Sequence, residues 1–93
     1  MFVVSEAKTV SKELDRAPSE ILEAYEFWKN VVQVSGVAGL KAYSGFKDHA
    51  LKGEWQGARS SYLNRKWRVI YFSNLEEICV IVVRITSHDY RRK

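Results

Sequence analysis

The sequence predicts a small α+β domain in which two helices pack on one face of a mainly antiparallel sheet. Short runs rich in β-branched and aromatic residues occupy positions 58–63, 67–72 and 78–85, and polar breaks separate them, as in an antiparallel β-meander. The first half of the chain instead carries apolar residues at helical spacing. With 93 residues the chain is long enough for one modest core, so residues 1–93 are interpreted as a single domain.

The amino-terminal half predicts one strand followed by two helices. Residues 1–4 form a short apolar run that suits a first strand. Residues 7–16 carry apolar side chains four positions apart, the spacing of one helix face. Pro18 suits the first turn of a second helix that extends to about residue 34. The apolar stripe of this helix is predicted to face the core, and it consists of Ile21, Leu22, Tyr25, Trp28, Val31 and Val32.

The connection between the second helix and the meander, residues 36–57, contains all five glycines and has no clear hydrophobic period. Gly36 is predicted to end the helix. The glycine spacing does not match a phosphate-binding loop, so no nucleotide-binding loop is predicted. A long irregular segment is unusual in so small a domain unless it is functional. The predicted order is β-α-α, a long functional loop and then β-β-β, which gives a sheet of about four strands.

Alternation along the strands predicts the two faces of the sheet. One face of the last strand is wholly apolar and is predicted to meet the helices: Cys79, Ile81, Val83 and Ile85. The lone Cys79 is therefore interpreted as a buried small hydrophobe. In the middle strand, Arg68 interrupts an otherwise apolar alternation. The opposite face, with Arg68, Arg84 and His88, is predicted to be the working surface, and it also carries Val80, Val82 and Thr86.

Composition and charge narrow the functional classes. Of the net charge of +4, the first 46 residues carry −1 and the remaining 47 carry +5. The basic excess in the sheet half favours a phosphate-bearing or acidic partner, with solubilising surface charge as the alternative. The longest apolar run, 78–83, is far shorter than a membrane span, and no signal segment opens the chain, so we expect a cytoplasmic protein without a membrane partner. The two histidines lack a nearby ligand cluster, so no metal site and no cofactor are predicted.

The segment Gly45–Gly57 is followed in order by Arg59-Ser-Ser61, Leu63-Asn-Arg65, Trp67-Arg-Val-Ile-Tyr71 and His88-Asp-Tyr-Arg-Arg92. This ordered combination resembles the RelE/ParE superfamily of bacterial toxins, and in particular its messenger-RNA interferases of the RelE, YoeB, YafQ and HigB kind. The resemblance spans nearly the whole chain and implies a RelE-like fold. It also implies the toxin of a type II toxin–antitoxin system, a ribosome-dependent endoribonuclease that cleaves messenger RNA in the ribosomal A site. In that reaction the 2′-hydroxyl attacks the adjacent phosphate without a metal.

The resemblance implies roles for individual residues. His49 lies where similar toxins carry a Glu or His that acts as base, and Arg68 lies where the family places a guanidinium against the scissile phosphate. His88 matches the position of a general acid, and Tyr90 that of an aromatic that stacks on a base or orients the phosphate. The remaining RNA contacts are assigned to Lys47, Lys52, Trp55, Arg59, Lys66 and Arg84. Each assignment has a structural alternative: a solvated side chain for Arg68 and the histidines, a core-edge cover for Tyr90, and a loop anchor for Trp55.

Some positions depart from the family pattern and leave other functions open. Ala58 and Tyr62 stand where many similar sequences place an aromatic and an arginine, and Ser61 replaces a basic residue of some relatives. The alternatives are a ParE-like inhibitor that binds DNA gyrase without cleaving RNA, and an inactive RNA-binding relative. His49 together with His88 and Tyr90 favours the enzyme, because a gyrase binder has no need of this set. The expected partners are a cognate antitoxin that covers the basic face or a sheet edge, the ribosome with its ribosomal RNA, and messenger RNA.

Overall fold

The structure, a computed structural model, describes residues 2–74 and 78–87. Two helices, α1 (Lys8–Arg16) and α2 (Ser19–Ser35), follow the first strand. The strands are β1 (Val3–Glu6), β2 (His49–Ala50), β3 (Arg59–Tyr62), β4 (Arg68–Asn74) and β5 (Cys79–Thr86). Three short 3₁₀ helices lie in the connection between α2 and β3, at Val37–Ala42, Ser44–Phe46 and Gly53–Trp55.

The strands form one sheet in the order β1-β5-β4-β3-β2. Strands β2 to β5 pair antiparallel in sequence order, whereas β1 pairs parallel with β5. The predicted α+β class is therefore confirmed, but the sheet has five strands where about four were expected. The additional strand, β2, has two residues, which is too short to produce an alternating pattern in the sequence. The first strand begins at Val3, two residues later than predicted.

Helix α2 provides most of the apolar surface of the helical layer. Its side chains Ile21, Tyr25, Trp28 and Val32 are buried, as predicted, whereas Leu22 is 37% exposed and lies outside the stripe. Pro18 has an extended backbone and precedes the helix, which begins at Ser19. Gly36 ends the helix with a φ of 74°, and a side chain there would meet the ring of Phe2 at 2.7 Å. Only glycine satisfies both conditions without strain.

A β-bulge in β5 changes which side chains face the helices. Ile70 pairs with Arg84, but the next residue of β4, Tyr71, pairs with Val82. Val83 is therefore the extra residue of β5 at this point. Beyond a bulge, the alternation of side chains continues with its parity reversed.

The predicted faces of β5 are consequently wrong before the bulge and correct after it. Val80 and Val82 are buried in the helix-facing core, although the alternation assigned them to the opposite face. Ile81 is 47% exposed, and Cys79 is half-buried rather than buried. Ile85, after the bulge, faces the core as predicted.

The sheet separates two clusters of apolar side chains. The larger lies between the sheet and the helices and comprises Val10, Ile21, Tyr25, Trp28, Val32, Leu40, Phe46, Val69, Tyr71, Val80, Val82 and Ile85. The smaller consists of Leu51, Ala58 and Ile70, with Trp55 and Val83 packed against it. Its side of the sheet, turned away from α2, is called the open face below. Within the described residues, no helix is long and apolar enough to cross a membrane.

Candidate active site on the open face

His49, in β2, is held by a hydrogen bond to the backbone two residues before it. Its Nδ1 lies 2.7 Å from the carbonyl oxygen of Lys47. A carbonyl oxygen only accepts, so Nδ1 carries the proton and a neutral His49 has its lone pair on Nε2. Nε2 is buried and has no hydrogen-bond partner within the described residues. A histidine with a fixed tautomer and an available lone pair suits a general base.

The backbone of Lys47 makes this hydrogen bond possible. Lys47 ends the 3₁₀ helix Ser44–Phe46 in the left-handed conformation, with φ 46° and ψ 43°. This conformation is uncommon for residues other than glycine, asparagine and aspartate. It turns the chain from the 3₁₀ helix into β2 and directs the Lys47 carbonyl to the ring of His49. The lysine side chain is exposed.

Arg68 lies at the start of β4 and is packed rather than solvated. Only 7% of the residue is exposed. The guanidinium carbon lies 4.0 Å from the centre of the Tyr62 ring, a close cation–π contact, and Nη1 donates a hydrogen bond of 3.1 Å to the carbonyl of Arg65. The position of the guanidinium is thus fixed by an aromatic face and a backbone carbonyl.

Tyr62 connects His49 and Arg68, two of the four predicted catalytic residues. It is the cross-strand partner of Arg68, and its ring centre lies 6.3 Å from that of His49. His49 in turn pairs with Ser60, two residues before Tyr62. The sequence showed Tyr62 only as a departure from the family pattern, because contacts of this kind depend on strand register. His49, Tyr62 and Arg68 are called the catalytic cluster below.

Arg84 lies on the open face with Arg68, but its guanidinium is hydrogen-bonded to a carboxylate of α1. It is the cross-strand partner of Ile70, and its Nε donates a 2.6 Å hydrogen bond to the Glu13 carboxylate. The same carboxylate accepts a 2.7 Å hydrogen bond from the backbone N–H of Ile85. An RNA phosphate at Arg84 therefore has to compete with Glu13.

A hydrogen-bond network centred on Asp48 lies on the helix-facing side of the sheet. The Asp48 carboxylate accepts from Ser61 Oγ and Tyr71 Oη at 2.6 Å each and from Arg59 Nε at 2.8 Å. Trp28 Nε1 donates to Ser61 Oγ at 3.0 Å. Burial, together with the Asp48 charge, raises the pKa of Tyr71 well above its usual value. The network places Arg59 on the opposite side of the sheet from the catalytic cluster.

The other predicted site residues lie at varied positions. Lys47, Lys52 and Lys66 are exposed on loops around the sheet. Trp55 is partly buried against the smaller apolar cluster, the position of a loop anchor. His88 and Tyr90 lie outside the described residues. Among residues 2–74 and 78–87, no group of three or more His, Cys, Asp or Glu side chains is placed to hold a metal ion.

Comparison with known proteins identifies toxins as relatives. The profile of a family described as bacterial toxins of type II toxin–antitoxin systems, YafQ, matches residues 4–91. No curated protein sequence shows significant similarity to this chain. Solved structures with a similar fold are numerous and belong to toxins of related kinds.

Three of these structures illustrate the similarity. YafQ from E. coli strain BL21(DE3) has a TM-score of 0.75, with 16% identity and 92% of each chain covered. The archaeal RelE–RelB complex from Pyrococcus horikoshii OT3 gives a TM-score of 0.71 and 18% identity over 91% of this chain and 92% of that one. The YoeB–YefM complex from Staphylococcus aureus gives a TM-score of 0.71 and 13% identity over 96% and 99%. At identities this low, the similarity shows a shared fold and nothing further.

Proposed function

Because the chain belongs to the YafQ family of bacterial toxins of type II toxin–antitoxin systems, we propose that it is a messenger-RNA interferase that cleaves RNA in the ribosomal A site. The observation that supports this proposal is the catalytic cluster. A histidine with its lone pair on Nε2 and a buried guanidinium are joined by one tyrosine ring on the open face. These groups supply a base and an anion-stabilising donor, which RNA cleavage requires.

The proposed reaction is a transesterification within the RNA strand. His49 Nε2 accepts the proton of the 2′-hydroxyl, whose oxygen attacks the adjacent phosphorus. Arg68 donates to the non-bridging oxygens as negative charge builds on them. The bond from phosphorus to the 5′-oxygen then breaks, and the leaving oxygen takes a proton from His88, the residue to which we assign this role. The products are a 2′,3′-cyclic phosphate and a 5′-hydroxyl, and no metal ion takes part.

Burial of the catalytic groups is consistent with dependence on the ribosome. His49 Nε2 is buried, and Arg68 is 7% exposed. A scissile phosphate reaches both groups only after neighbouring atoms move, and binding to a large partner supplies free energy for such a rearrangement. The exposed Lys47, Lys52 and Lys66 are the residues that we assign to phosphate contacts with ribosomal or messenger RNA.

We further propose that a cognate antitoxin covers part of the open face. The RelE and YoeB structures described above are complexes with RelB and YefM. On the open face of this chain, Val3, Phe72 and Ile81 are 57%, 38% and 47% exposed. Contiguous exposed apolar side chains mark protein interfaces, and the adjacent edge strand β1 also offers backbone groups for strand addition. An antitoxin with an apolar segment fits this surface.

The experiment that tests the interferase maps 5′ ends on a defined messenger incubated with the protein, with and without translating ribosomes. Wild-type protein is expected to cut only when ribosomes are present. His49→Gln and Arg68→Gln are expected to slow cleavage by about 100-fold or more, the typical effect of removing a general base or an oxyanion donor. Arg16→Ala, which removes an exposed arginine of α1, serves as the matched control and is expected to cleave normally.

Because Arg68 is buried, its variant has to be shown to be folded by thermal unfolding before its activity is compared. Full cleavage by folded Arg68→Gln would remove Arg68 from the reaction. Intact messenger with folded wild-type protein in every lane would contradict the interferase altogether. Assays for gyrase-dependent DNA breaks would then test the ParE-like alternative.

A further inference from the structure

A groove lined by aromatic side chains lies on the α2 side of the sheet and shares Tyr62 with the catalytic cluster. It has a volume of about 400 Å³, and its walls include Phe27 of α2, Tyr43, Phe46 and Leu63. Phe27 is 48% exposed and Tyr43 is 43% exposed, although both rings are large and apolar. A group of exposed aromatic rings often marks a binding surface.

The rings of the groove support one another. Phe27 meets Tyr43 at a centroid distance of 5.1 Å and an interplanar angle of 89°, an edge-to-face contact. The centre of Phe46, which is 8% exposed, lies 6.0 Å from that of Phe27 and 5.8 Å from that of Tyr43. Phe46 belongs to the main core and holds the two exposed rings in place. The rings are therefore already ordered before a ligand binds, which lowers the entropic cost of binding.

Tyr62 joins this groove to the catalytic cluster. It contributes to the wall of the groove, and its ring also lies against the Arg68 guanidinium and near the His49 ring. Because the other walls of the groove belong to the α2 side of the sheet, an RNA strand whose phosphate sits at Arg68 has to turn around the end of β3 to bring a neighbouring base into the groove. Tyr62 is thus the residue at which the groove and the candidate active site meet.

We propose that this groove binds a nucleobase of the RNA strand, from a nucleotide next to the cleaved phosphate. The inference rests on the proposed function and extends it to recognition of the substrate. Unstacked bases bind to proteins by stacking on aromatic side chains, which is the chemistry that Phe27 and Tyr43 offer. Within the described residues the lining carries no charged side chain, which suits a base rather than a phosphate.

The dimensions favour a base over a protein partner. The volume lies within the range of small-molecule sites, about 300–1,000 Å³. A stable protein interface buries about 800 Å² on each partner, far more than a groove of this size presents. Since the rings offer stacking surface and few hydrogen-bonding groups, we expect the site to accept every base, with a preference for purines because of their larger stacking area.

The test compares the wild type with Phe27→Ala on ribosomes whose A-site codon is either normal or carries an abasic nucleotide beside the cleavage site. On normal RNA, Phe27→Ala is expected to raise KM about 5- to 150-fold, the usual loss for one stacked base, while kcat changes little. The wild type is expected to show a similar loss on abasic RNA. Phe27→Ala should lose nothing more there, because the interaction is already gone.

Val34→Ala is the matched control, since it shortens an apolar side chain of α2 that is 70% exposed and does not line the groove. It is expected to cleave normal RNA with an unchanged KM. Equal fractional losses for Phe27→Ala on normal and abasic RNA would overturn base binding in the groove. So would a Phe27→Ala protein with wild-type KM.

A second measurement keeps this inference separate from the interferase proposal. If wild-type protein cleaves no RNA, single-stranded oligonucleotides are titrated into it and the ring resonances of Phe27 and Tyr43 are followed by NMR. Saturable shifts that an abasic oligonucleotide does not produce would support the base site even though the reaction had failed. Unperturbed ring resonances at saturating oligonucleotide would overturn it.

Discussion

At the scale of single residues, Asp48 stabilises the strand that carries His49. Its side chain is 7% exposed and accepts hydrogen bonds from Ser61 of β3 and Tyr71 of β4. Strand β2 has two residues and, among the described strands, pairs only with β3 at the sheet edge, so its backbone hydrogen bonds hold it weakly. We therefore expect Asp48 to position His49, its neighbour in the chain.

The first prediction concerns Asp48→Asn, which keeps the size of the side chain but removes its charge. Three donors lose a charged acceptor, so we expect the free energy of unfolding to fall by about 1–3 kcal/mol. The ¹⁵N chemical shifts of the His49 ring should move toward a mixture of tautomers as the Lys47 hydrogen bond weakens. Urea denaturation and NMR check the two effects.

Asp15→Asn, on the exposed part of α1, is the control for Asp48→Asn and should alter neither quantity. An Asp48→Asn protein with wild-type stability would show that the network contributes little. A destabilised protein with an unchanged His49 tautomer would limit Asp48 to a structural role.

The sequence named His49 and Arg68 as candidates through the family resemblance, but it missed Tyr62 and Asp48 as their neighbours. The reason is strand register. Tyr62 contacts Arg68 because β3 and β4 place them opposite each other, and a shift of one residue would turn Tyr62 to the other face. Alternation alone shows which residues share a face of one strand, not which strands bring them together.

At the scale of elements, helix α1 takes the place of a strand beside the second half of β5. Strand β1 ends at Glu6, and beyond it Thr9 Oγ1 donates to the Val83 carbonyl at 3.3 Å. Glu13 accepts from the N–H of Ile85 at 2.7 Å. Side chains of α1 thereby satisfy backbone groups that β1 leaves open, and they protect this edge from pairing with other chains.

The second prediction is that Glu13→Ala destabilises this end of the sheet. The substitution removes the acceptor for the backbone N–H of Ile85 and the ion-pair partner of Arg84. We expect unfolding to become easier by about 1–3 kcal/mol and the Ile85 amide to exchange faster with solvent. Hydrogen exchange followed by NMR measures the local effect directly.

Glu23→Ala, which removes an exposed carboxylate of α2, is the control for Glu13→Ala and should leave the Ile85 amide protected. Unchanged protection of that amide in Glu13→Ala would mean that other groups hold this edge of the sheet.

The bulge of β5 explains why the faces of one strand were predicted less well than the element itself. The run 78–85 predicted a strand, and the structure has β5 at Cys79–Thr86. No glycine or proline marks Val83 as the extra residue, so the uninterrupted apolar run concealed the change of parity. The same bulge places Arg84 on the open face with Arg68. Simple alternation had predicted this grouping without a bulge.

At the scale of the whole molecule, the α+β class and both helices followed from hydrophobic periodicity, but the position of β1 did not. Strand β1 pairs with β5 across more than seventy residues of sequence, and nothing local indicates a parallel partner at that distance. The fold buries two phenols at the boundary of its layers. Tyr25 Oη donates to Glu6 at 2.5 Å, and Tyr71 Oη donates to Asp48 at 2.6 Å.

The last prediction is that alkaline pH destabilises the whole molecule through these two phenols. Burial raises the pKa of Tyr25 and of Tyr71 above the usual value, and the hydrogen-bonded carboxylates raise both further. The unfolded chain releases these protons near pH 10, whereas the folded chain retains them. Stability from each phenol is therefore complete below about pH 10 and falls by up to about 1.4 kcal/mol per pH unit above it, until the pH passes the folded pKa.

Urea denaturation at pH 8 and pH 11 measures this effect in wild-type protein, Tyr71→Phe and Tyr43→Phe. Tyr71→Phe loses the hydrogen bond to Asp48, so we expect it to be less stable at pH 8 but to lose less between the two pH values than wild-type protein. Tyr43 is 43% exposed, so the stability of Tyr43→Phe should follow the wild-type pH dependence. This variant is the control for alkaline effects that do not depend on a buried phenol, such as deprotonation of lysines. If Tyr71→Phe and wild-type protein lose equal stability between pH 8 and pH 11, the Tyr71 phenol does not contribute to the pH dependence of folding. The proton responsible would then belong to another group.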